Sequence, residues 1–167
     1  MGVKWSIKRK AVPGQSIEDL QKRSKDGFVK IGVLAGTGEH PEATKGQLIA
    51  EIAWWNEFGT KRIPARPFLR PGLRRNLITY RMILKNGLPK VLRGEWTRKQ
   101  LLGMLGIAAK GDVQQMIVDV KTPPNAPSTI KKKGRDNPLI WHGIMRGSID
   151  WAILKSGERR RKRAMRI

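Results

Sequence analysis

A stripe of apolar residues between Thr97 and Val120 limits the fold of this 167-residue chain more than any other feature. Leu101, Leu105, Ala108, Ala109, Val113, Met116, Ile117 and Val120 recur at steps of three and four, which sets them on one face of an α-helix. Such a helix is about 36 Å long, close to the width of a small domain. The remaining elements must therefore be laid along it. Gly103, Gly106 and Gly111 each cost about 1 kcal/mol relative to alanine inside a helix, so they mark a close approach or a bend.

The rest of the chain supplies shorter elements. Val3, Trp5 and Ile7 alternate with Lys4, Ser6 and Lys8, the period of a half-buried strand. Ser16 opens a short helix reaching about Lys25, and Phe28 to Ala35 is a β-branched, aromatic run that predicts a strand. Gln47 to Phe58 reads as a helix with Ile49, Ile52, Ala53 and Asn56 on one face and Gly59 at its cap. Pro64, Pro67 and Pro71 stiffen the next segment and hold Ile63 and Arg66 extended. A helix opening near Pro67 is expected to run through Leu73, Leu77, Tyr80, Met82 and Leu84 to Asn86-Gly87. Ser128 is expected to cap one turn, Leu139 to Gly147 to form a short helix, and Ser148 to Lys155 a last strand. Together these predict a single α+β domain over residues 1–157, a small antiparallel sheet packed with long helices. A basic tail follows at 158–167.

Charge narrows the function classes. Lys and Arg total 35 against 13 Asp and Glu, a net charge of +22 that calls for a polyanion or acidic proteins nearby. The surplus is uneven: residues 61–99 hold 12 basic and 1 acidic group, while 31–60 hold 1 and 4. Patches of opposite sign on one subunit suit a head-to-tail contact between copies. Arg159, Arg160, Arg161, Lys162 and Arg163 form a run suited to DNA phosphates or to an acidic partner. A basic nucleic-acid-binding protein is accordingly the alternative reading of the chain.

Little catalytic chemistry is legible. Cysteine is absent, and His40 and His142 are the two histidines, so no metal-ligand or triad spacing arises. Glu51 and Glu57 are six residues apart and fall on different faces of their helix. Gly36-Thr37-Gly38 lacks the remainder of a phosphate loop. Of Trp54 and Trp55, one ring should pack inward and the other reach a neighbouring element or subunit. No cofactor is implied. The first residues lack the apolar core of a signal peptide, and no apolar run is long enough to span a membrane.

Three stretches, IAWWNEFGTKRIPARPFLRPGL (52–73), PPNAPSTIKKKG (123–134) and PLIWHGIMRGSI (138–149), taken in order, resemble the tail-completion and head–tail connector proteins of tailed bacteriophages, of the minor tail protein Z type. The resemblance covers residues 31 to about 154. It implies a non-enzymatic virion protein of the neck, made and assembled in the host cytoplasm, that helps finish the tail and join it to the DNA-filled head. It further implies a homo-oligomeric ring, a hexamer by expectation, meeting the tail terminator and the portal-side connector proteins, with the basic tail left to either phage DNA or an acidic protein neighbour, and no membrane contact. Its motif residues here are Asn56, Glu57, Phe58, Gly59, Thr60, Arg66, Phe68 and Arg70. Phe58 and Phe68 are expected to anchor the proline-stiffened loop from either side, with Glu57 the carboxylate available to Arg66 and Arg70, within the fold or on the next subunit.

Overall fold

The computed structural model describes residues 27–34, 38–39 and 47–155. The strand expected at Val3–Ile7, the helix expected from Ser16 and the tail at 158–167 lie outside the described residues. The elements run β1 (Gly27–Val33), α1 (Ile49–Phe58), α2 (Leu69–Arg75), α3 (Leu77–Arg93), α4 (Arg98–Asp119), α5 (Pro127–Lys133), α6 (Ile144–Gly147) and β2 (Ile149–Lys155). The fold is α+β.

Helix α4 is the long helix foreseen from the apolar stripe. Thr97 starts it: its hydroxyl accepts the Gln100 N–H, and the Gln100 carboxamide accepts the Thr97 N–H at 2.7 Å. The helix buries Leu101, Leu102, Gly106, Ala109, Val113 and Ile117, and it packs on α2, α3 and both strands. Val113 and Ile117 join Ala53, Phe68, Val120, Leu139, Met145 and Ile149 in one core. Each large side chain there contributes about 1.5–3 kcal/mol by leaving water. No helix among the described residues is long and apolar enough to cross a membrane.

Strands β1 and β2 pair antiparallel, from Gly27 opposite Lys155 to Val33 opposite Ile149. Trp151 lies opposite Ile31 and turns its indole onto Gly106 of α4. This contact explains one of the three helix glycines. A methyl group at Gly106 would run into the ring. Gly106→Ala should therefore destabilise the protein by about 1–3 kcal/mol through overpacking, against a helix-propensity gain of about 1 kcal/mol. A thermal melt showing equal or greater stability would contradict that packing.

Four boundaries differ from the sequence expectation. The helix expected from Pro67 to Gly87 is two helices, α2 and α3, divided at Asn76, whose φ of −111° and ψ of 18° leave the helical region. Helix α3 then passes Gly87 and Pro89 and stops at the left-handed Gly94. Gly87 is a packing position there, since a Cβ on it would collide with Leu101 of α4. Burial of Gly87 and Val91 on α4 overrides the local proline signal. The cap of α5 is Ala126, with Pro127 as the first helical residue, rather than Ser128. Positive φ values at His142 and Gly143 confine α6 to Ile144–Gly147.

Candidate functional site

The loop that joins α1 to α2 is built from the motif residues. Gly59, at φ 77°, donates its N–H to the Trp55 carbonyl at 2.8 Å. A Cβ on Gly59 would stand 3.0 Å from the Ala65 nitrogen, so the close return of the chain also requires glycine. The Thr60 hydroxyl accepts N–H bonds from Arg62 and Ile63, and the Thr60 N–H donates to the Ile63 carbonyl at 2.8 Å. The Arg66 N–H then donates to the Asn56 carbonyl at 2.6 Å, while the Asn56 amide folds back onto Ile52. The loop is a closed hairpin of irregular backbone.

Glu57 fastens its far end. Only 3% exposed, its carboxylate accepts the Phe68 and Leu69 N–H groups through Oε2, each at 2.8 Å. Oε1 accepts the Arg70 N–H at 3.2 Å and Arg70 Nε at 2.9 Å. These amides open α2 and have no partner within it, so a carboxylate at that position satisfies them and the helix dipole together. Burial pushes the Glu57 pKa up, but the bonds from Leu69, Phe68 and Arg70 outweigh it and hold the group below the ordinary carboxylate range.

Within the fold, Glu57 takes up Arg70 and not Arg66. Arg66 is 6% exposed, and it donates from Nε to the Pro123 carbonyl at 2.7 Å and from Nη2 to the Pro124 carbonyl at 2.6 Å. The reason is geometric: Glu57 already accepts four bonds at the start of α2, whereas Arg66 precedes that helix and faces the 123–126 segment. Two consecutive prolines were the available signal. Their carbonyls lie outside helix and sheet and can receive a guanidinium fork.

The two phenylalanines also separate. Phe68 is 2% exposed and belongs to the core, but Phe58 is 46% exposed and is not a buried anchor. Its ring lies 4.2 Å from that of Trp54, and the Arg70 guanidinium sits 4.7 Å above it. Trp54 is outward-facing, and Trp55 lines a cavity.

That cavity, about 530 Å³ and open to solvent on one side, lies between α1, the 62–66 segment, α5 and the turn before α6. Apart from Gln47, every lining residue comes from 52–73, 123–134 or 138–149. Ile63, Leu139 and Met145 give it apolar walls alongside Trp55 and Trp141, while Arg66, Asn125 and Lys133 give it polar ones. Lys133 donates to the Asn137 carbonyl at 2.7 Å. Burial lowers the pKa of Arg66 and of Lys133, and the nearby Arg66 charge lowers Lys133 further while Asp136 opposes it. Arg66, Trp55 and the basic run holding Lys133 stood out in the sequence, but their meeting at one cavity did not. Arg159, Arg160, Arg161, Lys162 and Arg163 lie outside the described residues.

Chemically, this arrangement holds backbone and presents charge. The buried carboxylate is fully engaged by donors, and no group of three His, Cys, Asp or Glu residues that could hold a metal occurs among the described residues. Comparison with protein-family models, with curated proteins and with solved structures finds no match to this chain.

Proposed function

We propose that this chain is a non-enzymatic structural subunit of the head–tail junction of a tailed bacteriophage, a ring-forming tail-completion protein. The observation that carries the reading is the convergence of the three resembling stretches on one cavity and loop. The two buried charged residues among them, Glu57 and Arg66, serve to fix backbone. Exposed apolar side chains support it as well: Trp54 is 62% exposed and Ile78 72%, surface of the kind that neighbouring subunits cover. The partners on this reading are copies of itself in a ring, a hexamer by expectation, the tail terminator and the portal-side connector proteins. The protein would be assembled in the host cytoplasm and reside in the virion neck, beside the DNA path.

Quantitative mass spectrometry of purified tailed particles tests the reading. A fixed number of copies above one per particle is expected, with unjoined heads and tails accumulating when the gene is interrupted. Absence from particles would overturn it. The +22 charge favours the second reading, a free nucleic-acid-binding protein. That reading requires absence from particles together with duplex-DNA affinity that falls steeply with salt.

A further inference from the structure

Arg66 and Lys133 meet the cavity in an unusual electrostatic state. Arg66 is buried and Lys133 half-buried, yet their hydrogen bonds run to the carbonyls of Pro123, Pro124 and Asn137, which carry no net charge. Asp136 is the acidic group whose field reaches both, and its carboxylate accepts the Asn125 N–H at 3.1 Å. Arg62 also lines the cavity and the Arg135 field acts on Lys133, so positive charge beside the apolar walls exceeds the one Asp136 carboxylate. A desolvated charge of that kind attracts an anion far more strongly than one in water.

A second observation lies at the same wall. The Asn125 side-chain nitrogen is buried and has no hydrogen-bond partner, and it belongs to the cavity lining. A buried unpaired donor costs about 1–3 kcal/mol, which an arriving acceptor would relieve. The volume falls within the roughly 300–1,000 Å³ typical of sites that enclose a compact ligand. The open side admits a chain.

We propose that this cavity binds a peptide segment of a partner protein in which an acidic residue is flanked by aromatic side chains. The carboxylate takes its place near Arg66 and Lys133, a segment carbonyl accepts from the Asn125 amide, and the aromatic groups cover Trp55, Trp141 and Ile63. A monoanionic carboxylate between aromatic groups costs less to withdraw from water against these apolar walls than a phosphate dianion does. The site stands on its own lining residues and holds whether or not the chain is a neck subunit.

The test uses the full ¹⁵N-labelled chain and the indole N–H signals of its tryptophans, assigned with Trp→Phe variants. The probes are acetyl-Phe-Glu-Phe-amide, its Gln counterpart and phenyl phosphate. The Glu peptide should shift the Trp55 and Trp141 signals saturably and leave Trp54 unmoved. It should bind about tenfold tighter than the Gln peptide, the worth of one charge-assisted hydrogen bond. Lys133→Gln should shrink that ratio, and Lys85→Gln on α3 should leave it alone. The comparison of the two peptides on the unaltered protein decides the matter even where a variant folds poorly. Equal affinity for the two peptides would overturn the proposal. So would tighter binding of phenyl phosphate, or shifts of equal size at Trp54 and Trp96, which would mean adsorption to the basic surface.

Discussion

Glu57→Ala should lower stability by about 3–4 kcal/mol, because hydrogen bonds to a charged group contribute about 1.5–3 kcal/mol each and are not additive. Three backbone amides and the Arg70 side chain lose their acceptor at once, and the Phe68 amide is buried where water cannot replace it. For a chain of this size that corresponds to a fall in melting temperature of about 10 °C. Glu57→Gln keeps one carbonyl oxygen but turns an NH₂ group toward donors, so it should lose about half as much. The pH dependence has a definite sign. Glu57 titrates below the ordinary carboxylate range when folded, so its contribution is complete above the unfolded pKa and fades as pH falls through the folded one. The stability gap between the native protein and Glu57→Gln should therefore be constant near neutrality and narrow in acid. A gap that widened in acid would show that the carboxylate is not the acceptor that opens α2.

Phe68→Ala should be comparably severe, costing about 3–5 kcal/mol as a large-to-small change in a packed core. The ring sits among Val113, Ile117 and Leu139, at the point where the irregular loop enters α2, so its loss leaves a void and slackens the loop together. Phe58→Ala is the informative contrast. With its ring 46% exposed, it should cost under about 1 kcal/mol, chiefly the cation–π contact with Arg70. Urea titration of both variants distinguishes them. Equal losses would mean that Phe58 is buried as deeply as Phe68.

Where the chain could be read in advance, the reason is periodic burial. Helix α4 repeats its apolar side chains at helical steps, and β1 and β2 carry β-branched and aromatic runs between turn residues, so local pattern and tertiary role agree. Reading failed where a residue answers to a distant partner. Gly87 has the look of a terminator, but its missing side chain makes room for Leu101. Pro89 breaks most helices, yet here it lies within α3. At the site, the importance of Asn56, Glu57, Gly59, Thr60, Arg66, Phe68 and Arg70 could be suspected from motif alone. The choice of Glu57 as a helix cap, and of proline carbonyls for Arg66, depends on where the 123–126 segment crosses the loop. No spacing rule encodes that crossing.

The pairing of β1 with β2 also sets an order in time. Val33 is synthesised well over a hundred residues before its partner Ile149. At about 5–20 residues per second, the strand waits on the order of ten seconds for its mate. Throughout that interval FVKIGV lacks β2, its partner strand among the described residues, and Gly106 of α4 lacks the indole that later covers it. The nascent chain is then at its most adhesive, and that exposure ends only once Ile149–Lys155 has been made and can pair.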